Sequence, residues 1–471
     1  MISIPPALQP VFSGTRELQN AYLVGGCVRD ALLGLPCKDI DIEVFGVGYE
    51  QLVKALSRWG KTDLVGRSFG VVKLRVGENV FDFTIPRRDS KVAPGHKGFE
   101  IEFDPALTPE KAASRRDFTI NSLMFDPRAQ TVLDFFGGVS DLEKKILRHT
   151  GSAFEEDPLR VLRGMQFAAR FDLQATPETI ALCRKIKSSY GELAVERVRE
   201  EWFKWAEKSS VPSRGLKFLV ETEWVEHFPE IQSLIGVPQE PDWHPEGDVF
   251  IHTCHCCDAM VNLPEWKSAE SETRIVYSLA ILAHDFGKPA TTHREMKNGV
   301  ERIVSPGHDE VGGALTENFL ERIAAPNVIR ERVVPLVKNH LAHFDELSDR
   351  AVRRLAKRLA PENIRSLCTV MIADQFGRPP RPQMVSENVT RLLQRSHELE
   401  IQIKPPSPIL LGRHLIELGM SAGKEMGKVL HAAFDAQLEG NFFDLPQAMD
   451  WLRNQKEIEL PANVREKLRK R

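Results

Sequence analysis

The sequence predicts an α/β head of mixed sheet and helices followed by a long, largely all-α remainder. Three observations predict it. Up to Ile85, short apolar or period-two runs alternate with glycine turns and one amphipathic helical stretch, as in a small mixed sheet. From Glu156 onward, apolar residues recur mainly at helical spacing. The 471 residues, 42% hydrophobic and 27% charged, suffice for several domains with sizeable cores and argue against disorder. A net charge of −3 means that contact with a nucleic acid rests on local basic patches. The seven cysteines show no disulfide framework, and the start carries prolines rather than a basic and then apolar leader. No apolar run reaches membrane-spanning length. A reducing cytoplasm without a membrane partner is expected.

Residues 1–20 read as a helical lead-in. Tyr22 to Val24 is a short apolar run, Gly25-Gly26 a turn, and Val28 to Leu33 the first turns of a helix that stops near Gly34 and Pro36. From Ile40 to Phe45 carboxylates alternate with apolar residues. Asp39, Asp41 and Glu43 therefore share one face of a strand, and Ile40, Ile42 and Val44 the other. Carboxylates projecting together repel unless a cation sits between them, and hard oxygen ligands suit Mg²⁺. The glycine pair lets backbone N–H groups approach an anion at a helix N-terminus, with Arg29 in reach of the same anion. Locally this is a metal-dependent site for a nucleoside triphosphate.

Gly48 to Trp59 reads as an amphipathic helix, and Leu64 to Phe69, Gly70 to Val76 and Asn79 to Ile85 as strands. Asp82 stands between Phe81 and Phe83 and points away from the face that buries those rings. It is either a surface strand position or a third metal ligand beside Asp39 and Asp41. Residues 86–114, rich in Pro, Gly and basic side chains, read as a mobile loop over the site. Asp117, after Arg115 and Arg116, is placed to cap a short helix. Gly137-Gly138 marks a turn, and Asp141 starts a short charged helix, the whole reading as a linker. Glu156 to Phe171 reads as a helix with Asp157 as N-cap, Pro158 at the first position, and Arg160, Arg163 and Arg170 as a basic stripe. Ala175 to Ser233 reads as continuous helices whose aromatics are core.

Together and in this order, the Tyr22–Val44 stretch, the arginine motif at Arg116 and the Glu156–Asp157–Arg160 motif resemble the signature of the tRNA nucleotidyltransferase family, which includes CCA-adding enzymes and bacterial poly(A) polymerases. The resemblance implies a nucleotidyltransferase head in which Asp39, Asp41 and Asp82 bind Mg²⁺. It implies nucleotide contacts from Gly25, Gly26, Arg29, Arg116 and Arg163. Asp117 and Asn121 would lie near the ribose. Asp157 and Arg160 would template the incoming base, accepting from an exocyclic amine and donating to ring or carbonyl acceptors. Many relatives have Arg where this chain has Gln166, and a neutral amide cannot offset phosphate charge.

After a linker near Gly236 to Pro241, His252, the adjacent pair His284 and Asp285, and Asp374 stand in the order of the HD phosphohydrolase superfamily, with His308 and His340 between them as additional candidates. Imidazole and carboxylate ligands can hold a divalent metal. That resemblance implies a second metal, of unknown identity, and a 2′,3′-cyclic phosphodiesterase, phosphatase or 2′-nucleotidase activity. Cys254, Cys256 and Cys257 read as structural thiols. The spaced glycines between Gly412 and Gly440 resemble the family's tRNA-gripping tail, or else serve close helix packing. The basic end from Arg465 reads as a solvated tail.

The expected organisation is a catalytic head at 1–145, a helical neck and body with base recognition at 146–240, an HD domain at 241–385 and a helical tail at 386–471. The expected function is addition of C, C and A to the 3′ end of tRNA from CTP and ATP. The rivals are a poly(A) polymerase, an A-adding enzyme, and an HD-domain phosphohydrolase with an inactive head.

Overall fold

The computed structural model describes residues 2, 4–37, 39–63, 70–91, 99–343, 347–404, 406–455 and 458–470. They form two compact units, residues 1–232 with 322–324, and residues 233–321 with 325–471.

The first unit opens on the short helix Gln9–Gly14 and a 3-10 turn, Arg16–Leu18. Strand β1 (Ala21–Val24) leads through Gly25 into the helix Gly26–Leu32, and β2 (Asp41–Val44) follows. The helix Tyr49–Leu56 precedes β3 (Lys61–Asp63), β4 (Val71–Val76) and β5 (Asn79–Thr84). Residues 64–69, expected as a strand, lie outside the described residues.

Where a mobile loop was expected, β6 (Arg87–Lys91) and β7 (Phe99–Phe103) pair antiparallel, and the helix Pro109–Ala113 follows. Proline, glycine and basic side chains signal a turn, but the alternation of apolar and acidic residues in Phe99–Phe103 suits a strand. Residues 92–98 of that stretch lie outside the described residues. Strands β8 (Met124–Asp126) and β9 (Thr131–Leu133) complete a seven-stranded mixed sheet in the order β3-β4-β5-β2-β1-β8-β9.

Among the described residues only β2 and β5 run parallel within that sheet, and their register sets Asp41 directly beside Asp82. The alternation that faces these carboxylates away from the core buries Ile42, Val44, Phe81 and Phe83 on the other side.

Two expectations about helix starts are corrected, Asp141 as the first residue of its helix and Asp117 as a cap. Asp141 lies inside the helix Gly138–Glu143, buried, and accepts from Thr119 Oγ1 at 2.7 Å and Arg148 Nε at 3.1 Å. The helix start is held instead by Asp134, which accepts from the backbone of Gly138 and Val139. Asp117 caps no true helix, because only the 3-10 turn Thr119–Asn121 follows it.

The helix Leu159–Phe171 packs against Val195–Lys208 and Pro212–Glu221. Trp202, Trp205 and Phe228 fill the space between these elements, fully buried as expected for core aromatics. Gly164 is required there, since a Cβ at that position would meet the Phe218 ring at 2.8 Å.

Among the described residues the regular structure of the second unit is helical apart from one hairpin, His293–Lys297 with Val300–Val304. The helices Val249–Asn262, Ser271–Ala283, Asn327–Asn339 and Ile364–Phe376 enclose its apolar centre. Helices from Gly412 to Lys470 bury a separate cluster that includes Leu415, Val429, Phe442, Leu452 and Leu468.

Candidate functional site

The head site grows out of the β1–helix turn and the β2–β5 pair. Gly25 adopts φ +73°, and a Cβ there would stand 2.6 Å from Arg116 Nη1, so glycine is needed both for the turn and for the guanidinium beside it. Asp41 opens β2 and is solvent-accessible. Asp82 is half-buried in the neighbouring strand, 3.0 Å from Lys73 Nζ. Asp39 precedes the strand and is exposed.

Although Asp41 meets solvent, its carboxyl is raised above the usual carboxylate range. Desolvation by the protein around the cleft is the main cause; Arg116 opposes it, and the charges of Asp82 and Asp39 add to it. Such a set repels itself without a cation, so the donor chemistry fits a divalent metal. Glu43, on the same face, binds Arg116 Nη2 at 3.5 Å rather than joining the pair.

A cavity of about 460 Å³ extends from Asp41, Gly25 and Gly26 to the Leu159–Phe171 helix, and a second of about 380 Å³ shares Asp41, Arg115, Arg116 and Arg160 with it. The walls are built from paired groups. Arg29 is buried and donates to Asn121 Oδ1 and to Asp30 Oδ1, with its guanidinium 4.5 Å from the Phe171 ring centre. It therefore lines the cavity as part of a network, on the side where the sequence places it in reach of an anion. Asn121 Nδ2 donates to Asp117 Oδ1 at 2.9 Å, and Arg163 Nε donates to Asp117 Oδ2 at 2.7 Å. Burial alone would push the Asp117 carboxyl up, but Arg163 and Asn121 bring it below the usual range.

Asp157 accepts from Leu159 N at 3.1 Å, but the helix begins at Leu159 with Pro158 at the N-cap position, one residue later than expected. Its other oxygen pairs with Arg197 Nη2 at 2.8 Å. Arg160 donates to the carbonyls of Ala153 and Arg115. The expected stripe of Arg160, Arg163 and Arg170 does line one cavity, with Arg170 paired to Asp30 at 3.3 Å.

Sequence reasoning missed Arg197, Lys204 and Lys208, which line the same cavity from the Val195–Lys208 helix. Their spacing of seven and then four residues was the available signal, since it places all three on one helix face. Gln166 is 3% exposed, lines this cavity, and has a buried Oε1 without a hydrogen-bond partner.

The second unit gathers all the expected HD residues. His252 Nε2 lies 3.0 Å from Asp374 Oδ1, 3.4 Å from His284 Nε2 and 3.6 Å from Asp285 Oδ2. His308 Nε2 lies 3.2 Å from Asp285 Oδ1 and 3.3 Å from His340 Nε2. Every one of these side chains is buried, and Asp285 Oδ2 is ion-paired with Lys288 Nζ at 2.7 Å.

Burial works against ionising the two carboxylates. Even so, His284 and Lys288 beside Asp285, and Arg378 and His252 beside Asp374, hold both well below the usual range. Converging ligand atoms fit one divalent metal among His252, Cys256, His284 and Asp374, with Asp285, His308 and His340 offering a second grouping.

Cys256, expected to be only structural, brings Sγ to 3.3 Å from His252 Nε2 because it lies one helical turn on. Cys254 and Cys257 are buried thiols. A cavity of about 200 Å³ reaches this cluster, lined also by Trp243, His244, Lys288 and Arg378.

Residues 21–148 match the poly A polymerase head domain family. The chain is 36% identical over 371 residues to the multifunctional CCA protein of Xanthomonas campestris pv. campestris, covering 76% of this chain and 85% of that one. To the multifunctional CCA protein of Nitrosospira multiformis it is 32% identical over 393 residues, covering 81% and 90%. The fold matches that of the Bacillus stearothermophilus CCA-adding enzyme in complex with CTP, with TM-score 0.62 at 21% identity over 96% of this chain and 98% of that one. It also matches the Thermotoga maritima CCA-adding enzyme complexed with tRNA, with TM-score 0.56 at 20% identity over 95% of each chain.

Proposed function

Because the chain belongs to the family of multifunctional CCA proteins, nucleotidyltransferases with a poly(A) polymerase head, we propose that it adds C, C and A to the 3′ end of tRNA from CTP and ATP in the cytoplasm. The observation that carries this is the register of Asp41 beside Asp82, next to the Gly25–Gly26 turn, at the mouth of a cavity that also holds Asp157 and Arg160. Asp39, Asp41 and Asp82 would hold Mg²⁺. When bound, it supplies Lewis-acid stabilisation of charge on the transferring phosphoryl group.

In the reaction the tRNA 3′-hydroxyl attacks the α-phosphorus and pyrophosphate leaves. The backbone at Gly25 and Gly26 and the guanidinium of Arg116 receive triphosphate oxygens. The Arg163–Asp117–Asn121–Arg29 network keeps its polar edge toward the ribose. Asp157 and Arg160 present an acceptor and donors to the base, a pattern met by cytosine and adenine, which carry an exocyclic amine. Arg197 orients Asp157 for that role. The finer division into a head, a neck and body, an HD domain and a tail at the boundaries given above is part of this reading.

The test uses purified protein, Mg²⁺ and tRNA transcripts ending at the discriminator base, at C and at CC, with CTP, ATP or both, read at single-nucleotide resolution. Two C residues and then one A on the first transcript are expected. Addition of A alone to the CC-ending transcript would make it an A-adding enzyme. Long A tails would make it a poly(A) polymerase.

A second reading is favoured by the buried cluster around His252, His284, Asp285 and Asp374: metal-dependent hydrolysis of phosphate esters, with 2′,3′-cyclic nucleotides among the substrates. Lys288 and Arg378 at the cavity would receive the phosphate. Release of product from 2′,3′-cyclic AMP that stops with chelator, and its loss in Asp285→Ala, are expected. Hydrolysis without any nucleotide transfer would instead support a phosphohydrolase with an inactive head.

A further inference from the structure

The side chain of Glu246 has no exposed surface, and one of its oxygens is bonded to two imidazoles. Oε1 lies 2.7 Å from His252 Nδ1 and 2.9 Å from His244 Nδ1. Oε2 is buried without a hydrogen-bond partner. An ionised carboxylate only accepts, so each Nδ1 carries a hydrogen and donates it. In neutral His252 the lone pair is then left on Nε2. That atom is the one turned toward His284, Asp285 and Asp374.

We propose that Glu246 is a positioning residue for a divalent metal in the second unit: it holds His252 in the tautomer and ring orientation that present Nε2 to the ion. The inference rests on the reading of that cluster as a metal centre. Carboxylates that bond the far nitrogen of a ligating histidine fix its ring and raise its basicity, and their loss weakens metal binding about 10- to 100-fold.

His244, Glu246 and His252 also lie close enough to hold an ion themselves. An ion there would take His252 Nδ1 and leave a protonated Nε2 facing the other ligands. The two arrangements differ in what glutamine does at position 246. An amide oxygen still accepts from Nδ1–H and preserves positioning, whereas an amide is a far poorer metal ligand than a carboxylate.

The test is calorimetric titration of Mn²⁺ into the full chain carrying Asp41→Ala, which silences the head. An added Asp285→Ala variant identifies binding at the second site. Glu246→Ala is expected to weaken that binding at least tenfold, and Glu246→Gln to stay within about threefold of the parent. Should Glu246→Ala fail to fold, Glu246→Met, close in length and unable to accept, carries the same expectation. Equal affinity in the alanine variant and the parent overturns the proposal, as does equal loss in the alanine and glutamine variants. Absence of binding in the parent overturns the metal reading of the second unit and the proposal with it.

Discussion

Arg163 Nε lies 2.7 Å from Asp117 Oδ2, and this pair joins the helix Leu159–Phe171 to the head beside the cavity that both residues line. Asp117 is 6% exposed and is completed by Asn121, which in turn accepts from Arg29. Four polar residues, each unfavourable to bury alone, are thereby satisfied by one another.

Replacing Asp117 by Asn removes the charge but keeps the shape. The loss is expected to be about 1.5–3 kcal/mol, the range for a hydrogen bond to a charged group. The folded-state pKa of Asp117 is lowered, so its contribution is fully present above the unfolded carboxylate value of about 3.9 and fades as pH falls through the folded value. Thermal melts of the parent and Asp117→Asn should therefore differ most at neutral pH and converge below about pH 4. A difference that grows in acid would contradict the pairing.

Asp41→Ala should abolish nucleotide transfer, since it removes the carboxylate set directly beside Asp82 and would leave only Asp39 and Asp82 to hold the metal. Metal binding and phosphate-ester hydrolysis by the second unit should be unchanged. Measuring both activities on one preparation checks this, and joint loss would break the separation into two sites.

Arg197→Ala leaves Asp157 without its ion-pair partner. The carboxylate is then free to turn, and discrimination against UTP and GTP is expected to fall by about tenfold, equivalent to ~1.4 kcal/mol. Competition between CTP and UTP on a tRNA transcript ending at the discriminator base measures it. Unchanged discrimination would show that Asp157 is held by Leu159 N alone.

Gln166→Met fills the same volume without polar atoms. Because the amide oxygen is already unpartnered, the fold should lose less than about 1 kcal/mol. If the amide serves the bound nucleotide or tRNA end, KM should rise severalfold with little change in kcat. Melting temperature and steady-state kinetics on the same variant separate these effects.

The site motifs were legible in the sequence because they are local. Asp39 and Asp41 are close in the chain, the glycine pair sits where a strand meets a helix, and the adjacent His284 and Asp285 follow an apolar helical run. The ribbon at β6 and β7 was not legible, because its residues also satisfy the rules for a loop and only strand pairing decides between the two. The role of Asp141 was misread for a related reason. An acidic residue just after a glycine turn suggests the first position of a helix, but the helix already begins at Gly138, held by Asp134, while Asp141 is drawn inward by Thr119 and Arg148.

By itself the sequence determined the α/β head, the helical remainder, and the identities of the carboxylates, arginines and histidines that carry chemistry, since period and residue type are properties of neighbours along the chain. Only the tertiary structure decided which of these groups face one another. The parallel pairing of β2 with β5 set Asp41 beside Asp82, and helix packing brought Arg197 to Asp157 and Arg163 to Asp117. Enclosure in the second unit joined Glu246 to His252. The physical reason is that ion pairs and metal sites act over a few ångströms, and contacts across tens to hundreds of residues are set by packing rather than by local pattern.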